Sequence, residues 1–193
     1  MHMKIWSTCG LVLVSLLSAC GGGGGGGSPS AVAPSPNTLS GVAAVGSPIA
    51  NANVRITCAS GGTTIQTSTN STGTWTSTLN GQTLPCAIQV NGGTINSVAN
   101  TAVYHSIAVS YGTANITPLT DLIVANLSTN AIPSNWFAAL SSSPGALSII
   151  SQAQITAAYS RLVSALSTMQ SLNTINPITT TFVPTSGNLY DDL

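Results

Sequence analysis

The sequence predicts a β-sandwich of about seven strands, prealbumin-like or Ig-like, followed by a small α-helical segment. Three observations predict it. Between Leu39 and Ile116, short runs rich in Thr, Val and Ile alternate with Gly, Asn and Pro, the spacing of strands and turns in an antiparallel sandwich. From Thr117 onward the apolar residues recur at three and four, the period of a helix. Apolar residues make up 43% of the 193, enough to build a core rather than a disordered chain.

The strands follow in order. Leu39 to Val45 is the first run. Ala52 to Ser60 is the second, with Val54, Ile56 and Cys58 on one face and Arg55 and Thr57 on the other. Thr63 to Thr69 follows, then a turn at Thr72-Gly73, then Thr74 to Leu79 carrying Trp75. Cys86 to Val90 sets Cys86, Ile88 and Val90 on one face. Thr94 to Val98, Val103 to Val109 and Thr113 to Ile116 complete the set.

At Thr117-Pro118 the pattern turns helical. Thr117 suits an N-cap, Pro118 the first turn, and Asp121 the positive end of the helix dipole. Leu119, Leu122, Ile123 and Leu127 form its stripe. A second helix starts at Pro133 and carries Trp136, Phe137 and Leu140. Ser151 caps a third, over Gln152 to Leu172, with the stripe Ile155, Ala158, Tyr159, Leu162, Val163, Leu166 and Met169. Stripes of this kind are core, packed on each other or on one face of the sandwich.

The N-terminus is an address rather than part of the fold. Lys4 is a short positive region, Gly10 to Leu17 an apolar one, and Ser18-Ala19 the small residues of a cleavage site. The apolar run is too short to anchor by spanning a bilayer. Leu17-Ser18-Ala19-Cys20 resembles the lipobox of bacterial lipoproteins. The resemblance implies cleavage after residue 19 and acylation of Cys20, its thiol by a diacylglyceryl group and its new amino terminus by a further chain. Seven glycines (21–27) and a Ser/Pro/Ala stretch follow, and they read as a tether over 20–38. Its flexible reach is about 20–25 Å. Glycine rather than aspartate follows the cysteine, which in that family implies the outer membrane.

Cys9 leaves with the signal and Cys20 takes lipid, which leaves Cys58 and Cys86. In an exported chain a disulfide is the default, closing a loop of about 28 residues and contributing roughly 3–4 kcal/mol. Two buried free thiols are the alternative. Two cysteines beside one mature histidine, His105, do not make a structural zinc site.

Gly41-Val42-Ala43 with Gly46-Ser47-Pro48-Ile49-Ala50-Asn51-Ala52-Asn53-Val54 resembles the opening of carboxypeptidase-regulatory-like (prealbumin-like, CnaB-like) domains. Thr67-Ser68-Thr69-Asn70-Ser71-Thr72-Gly73-Thr74-Trp75 is similar to that family's following hairpin, with Asn70 in place of the acid and Trp75 as the aromatic. The resemblance spans about 80 residues and implies a fold, not an activity. The isopeptide bond of some members needs a lysine and an acid, and the one lysine is Lys4, in the signal. The junction from Ala114 to Ile123 resembles uncharacterised proteobacterial envelope lipoproteins, whose pattern continues through Asn176-Pro177-Ile178-Thr179-Thr180-Thr181-Phe182. Set against that family, the chain stops at Tyr190-Asp191-Asp192-Leu193, where a further helix would begin, and this implies a C-terminally truncated member. A natural tail over 176–193 is the other reading.

Charge excludes several functions. Only 3% of residues are charged, against roughly 25% in an ordinary domain. Arg55 and Arg161 alone cannot neutralise a phosphate backbone or form a polybasic membrane patch, so no nucleic-acid partner is expected. No glutamate exists, and paired-carboxylate catalysis lacks raw material. His105, with Asp121 orienting it and a serine as nucleophile, is the one triad the sequence offers. No Gly-x-Ser-x-Gly elbow accompanies it, so a hydrogen-bonded structural histidine is expected. No metal or cofactor motif appears. Trp75 and Trp136, with Tyr104 and Tyr111, are the candidates for stacking on sugars, but Trp75 reads better as a core or hairpin aromatic and Trp136 as a helix-packing residue. The expected function is a lipid-anchored, non-enzymatic structural or interaction module of the cell envelope, its partners the membrane and envelope polysaccharide or protein. A carbohydrate-binding module is the alternative.

Overall fold

The computed structural model describes residues 37–128, 132–167 and 175–185. The expected signal segment, Cys20, most of the expected tether, Met169 and the Tyr190-Asp191-Asp192 end lie outside the described residues. The described strands all lie between Thr38 and Thr113, and the helices follow from Pro118 onward.

Two sheets carry seven strands. One sheet orders β4 (Thr74–Thr78), β1 (Thr38–Val42) and β9 (Gly112–Thr113). The other orders β3 (Ile65–Ser68), β2 (Asn53–Ser60), β5 (Thr83–Asn91) and β8 (Val103–Ala108). Every pair is antiparallel except β1 with β9. The expected single strand at 94–98 is instead a hairpin, β6 (Thr94–Ile95) against β7 (Val98–Ala99). Asn96 and Ser97 between them both have positive φ, 49° and 68°, the backbone of a two-residue type I′ turn.

Side-chain alternation builds the first core. Val54, Ile56 and Cys58 of β2 and Cys86, Ile88 and Val90 of β5 point the same way. They meet Leu39, Trp75, Ile49 and Ile116, all buried. Gly41 is required where β1 passes the next segment, because a Cβ there would lie 2.2 Å from the Ala114 carbonyl oxygen. Cys58 and Cys86 are direct cross-strand partners and form a disulfide. The bond therefore ties β2 to β5 within one sheet rather than bridging the two sheets.

A second core lies on the opposite face of β2-β5-β8. Ala87 and Ile107 point there, against α1 (Pro118–Leu127), α2 (Pro133–Leu140), the 3₁₀ helix Pro144–Ile149 and α3 (Gln152–Leu166). The four-stranded sheet is thus covered on both faces. Thr117 and Ser151 form the expected caps, each in a reciprocal capping box with Thr120 and Gln154. The third helix was expected to reach Leu172. It is described to Leu166, and 168–174 fall outside the described residues.

Candidate functional site

Asp121 and His105 meet. His105 sits on β8, the edge of its sheet, opposite Gln89 of β5. Its Nδ1 lies 2.7 Å from Asp121 Oδ1. The same oxygen accepts the His105 main-chain N–H at 2.9 Å. A carboxylate only accepts, so Nδ1 carries the proton and Nε2 is left as an acceptor. Gln89 fills it, donating from Nε2 at 2.9 Å. Thr120 Oγ1 donates to the His105 carbonyl at 2.8 Å. Both main-chain groups of His105 therefore point away from β5 and are taken by the first turn of α1.

The local sequence explains the arrangement. Thr117-Pro118 starts the helix, and that places Thr120 and Asp121 in the first turn, against the sheet edge. The open edge of a sheet invites pairing with another chain, and here a helix covers it. His105 is 1% exposed, while Asp121 retains 27%. Phe137 of α2 packs on the imidazole at 5.9 Å between ring centroids. The Arg55 guanidinium lies 5.7 Å from the centroid of the Phe137 ring. Burial raises the pKa of Tyr104, next along β8, and the Asp121 charge adds to it.

The hydroxyl of a triad is not part of this arrangement. The imidazole nitrogen that would serve as base is bonded to Gln89, and among the described residues no serine bonds to the ring. Ser106 follows His105 in the strand and so points to the opposite face, where its Oγ is buried with no partner among the described residues. Among the described residues no group of three His, Cys, Asp or Glu could hold a metal ion. No helix among them is long and apolar enough to cross a membrane.

The two tryptophans separate. Trp75 is 1% exposed in the core between the sheets, with its Nε1 unpartnered among the described residues. A ring enclosed on both faces offers neither to a sugar, and Trp75 takes the core role that competed with stacking. The cause is the alternation of β4, which sends Trp75 and Ser77 inward and Thr74, Thr76 and Thr78 outward. Trp136 is half-buried against the helical core. It lines an apolar cleft of about 230 Å³ with Leu127, Leu140, Ile149 and Ile150. A separate uncharged groove of about 250 Å³ is lined by Pro48, Ala50, Ser71, Thr94, Asn96 and Ser97.

Asn115 is a second buried polar junction, and sequence reading missed it. Its Oδ1 accepts from the Val42 N–H at 3.2 Å, and its Nδ2 donates to the carbonyls of Pro177 at 3.3 Å and Thr180 at 2.7 Å. Its main-chain N–H donates to the Ile178 carbonyl. The residues around Asn176-Pro177 are thereby fastened to β1. Only the polar break in the apolar run around Ile116 signals it in the sequence. Gln89 was legible only as a polar residue in an otherwise apolar strand.

No protein-family model, curated protein or solved structure matches this chain.

Proposed function

We propose that this chain is an exported, lipid-anchored protein of the bacterial cell envelope, held at the outer membrane, with a non-enzymatic structural or interaction module as its folded part. The observation that carries the reading is Leu17-Ser18-Ala19-Cys20 followed directly by a glycine tether. The Cys58–Cys86 disulfide supports it, because such bonds persist in oxidising compartments outside the cytosol. The two-sheet arrangement around Gly41, Pro48 and Trp75 is compatible with the prealbumin-like class, which we propose as its finer assignment.

The non-enzymatic part rests on the His105 surroundings. A general base needs an accessible nitrogen near a reacting proton, and this nitrogen is buried against Gln89. Its bonds join sheet to helix, a structural task. The membrane is the first partner, through the lipid on Cys20, and envelope polysaccharide or protein the second. A carbohydrate-binding module is the competing reading. The groove between Pro48 and Ser97 favours it, since hydroxyls and amides without charge match neutral sugars.

The anchor is tested by intact mass. Protein extracted from membranes is expected to begin at Cys20 and to carry diacylglyceryl and acyl groups. A mature chain still beginning at Met1, unmodified, would sink the proposal.

A further inference from the structure

We infer that Asn80 is a site of spontaneous, fold-selected deamidation, which converts a neutral loop into an anionic one. Asn80-Gly81 lies in the loop between β4 and β5, and both residues are exposed. Among the described residues, neither the Asn80 side chain nor the Gly81 N–H makes a hydrogen bond. A Cβ built on Gly81 would have no atom within 4 Å, so the loop is open to water on that side. Glycine also lacks the side chain that would hinder its own nitrogen as a nucleophile.

The chemistry needs only water. The Gly81 main-chain nitrogen attacks Asn80 Cγ, and an N–Cγ bond forms. The Cγ–Nδ2 bond breaks, and ammonia leaves with the proton released from the Gly81 nitrogen. Water then opens the cyclic imide at one of its two carbonyls. Opening at Cγ gives aspartate. Opening at the main-chain carbonyl gives isoaspartate, with one extra methylene in the backbone.

The fold supplies two internal controls. Asn91-Gly92 has the same dipeptide, yet Asn91 ends a strand paired with Asn53 on one side and Val103 on the other, and its Oδ1 is buried. That pairing opposes the main-chain swing the attack requires. Asn70 precedes a small residue too, but its Oδ1 already accepts from the N–H groups of Thr72 and Thr74 and from the Thr72 hydroxyl. Asn80 has none of these restraints.

The consequence is large for this chain. Beyond the signal its charged side chains are Arg55, Arg161, Asp121, Asp191 and Asp192, so each event adds one negative charge to a protein that has very few. The isoaspartyl product also lengthens a loop packed backbone to backbone, since a Cβ on Gly61 would lie 2.3 Å from the Gly81 carbonyl oxygen.

The test uses the full mature chain, incubated folded in mildly alkaline and in mildly acidic buffer. Chymotryptic peptides are then mapped by mass, and isoaspartate is labelled with an isoaspartyl methyltransferase. We expect the Asn80 peptide to gain acid and isoaspartyl forms faster in alkali, with Asn91 lagging well behind. An accompanying acidic band on isoelectric focusing should vanish in Asn80→Gln. Unfolding in denaturant with reduction should bring the two sites to similar rates. An Asn80 that stays amide in the folded chain, or one that converts no faster than Asn91, overturns the inference.

Discussion

From the first turn of a helix, Asp121 holds two groups at one oxygen, an imidazole and a strand N–H. Removing it leaves the His105 main-chain donor and Nδ1–H without their acceptor, at about 1–3 kcal/mol for such an orphaned group. Asp121→Ala is therefore expected to lower stability by about 1–3 kcal/mol, read as a shift in urea midpoint. Asp121→Asn retains an oxygen that can accept from both donors. It forfeits the charge at a helix N-terminus, a loss of about 0.3–1 kcal/mol. Its cost should be the smaller of the two. Equal losses would mean that the carboxylate acts through its charge and not through these bonds. His105 and Asp121 were legible as a chemical pair, but their meeting was not, because the contact joins a strand to a helix and depends on where the chain folds back. Gln89 was illegible as the third member, since only register places it opposite His105.

At the level of elements, the local signals worked best. Thr117-Pro118 and Ser151-x-x-Gln154 mark helix starts by chemistry confined to four residues, and both boxes are present. The Cys58 and Cys86 phases followed from alternation alone. The hairpin at 94–99 was missed because Asn96-Ser97 lacks the glycine that usually announces a type I′ turn. The parallel pairing of β1 with β9 was missed as well, since it joins residues far apart in sequence. The segment after Ile175 depends on such a distant contact. Asn176 Oδ1 accepts from the N–H of Ile178, which shapes the turn, but Asn115 does the fastening. Asn115→Ala is expected to destabilise the protein by about 2–3 kcal/mol, because it orphans groups on both sides of a buried junction. It should also expose the chain beyond Asn176 to protease while the sandwich stays intact. Simultaneous digestion of sandwich and tail would contradict that division.

Across the whole molecule, one sheet has two buried faces, and only one of them announced itself. Arg55, Thr57 and Gln89 look like a solvent face by alternation. The helices cover that face, and each polar group is accommodated: Arg55 over Phe137, Thr57 on Thr64, Gln89 on His105. The two cores are therefore coupled through β2, β5 and β8, and a perturbation in either layer should be felt as one transition. Alkaline pH supplies such a perturbation in both. Tyr104 packs at the margin of the inter-sheet core and Tyr159 against the helical core. Burial raises both phenols above the ordinary value of 10.0, with Asp121 adding to the shift at Tyr104. A raised folded-state value means that the folded chain holds more protons than the unfolded chain once the pH passes about 10, so stability falls with pH there. Below that value both states are protonated and the two phenols contribute no slope. The urea midpoint, measured in an Asn80→Gln background to exclude the loop chemistry, is expected to hold from neutral pH to about 10 and then to decline as a single transition. Tyr159→Phe should lower the neutral plateau, because its hydroxyl donates to the Ile175 carbonyl, yet make the alkaline decline shallower. A decline of unchanged steepness in both Tyr159→Phe and Tyr104→Phe would assign it to other groups. Two separated transitions would show that the layers unfold independently despite the shared sheet.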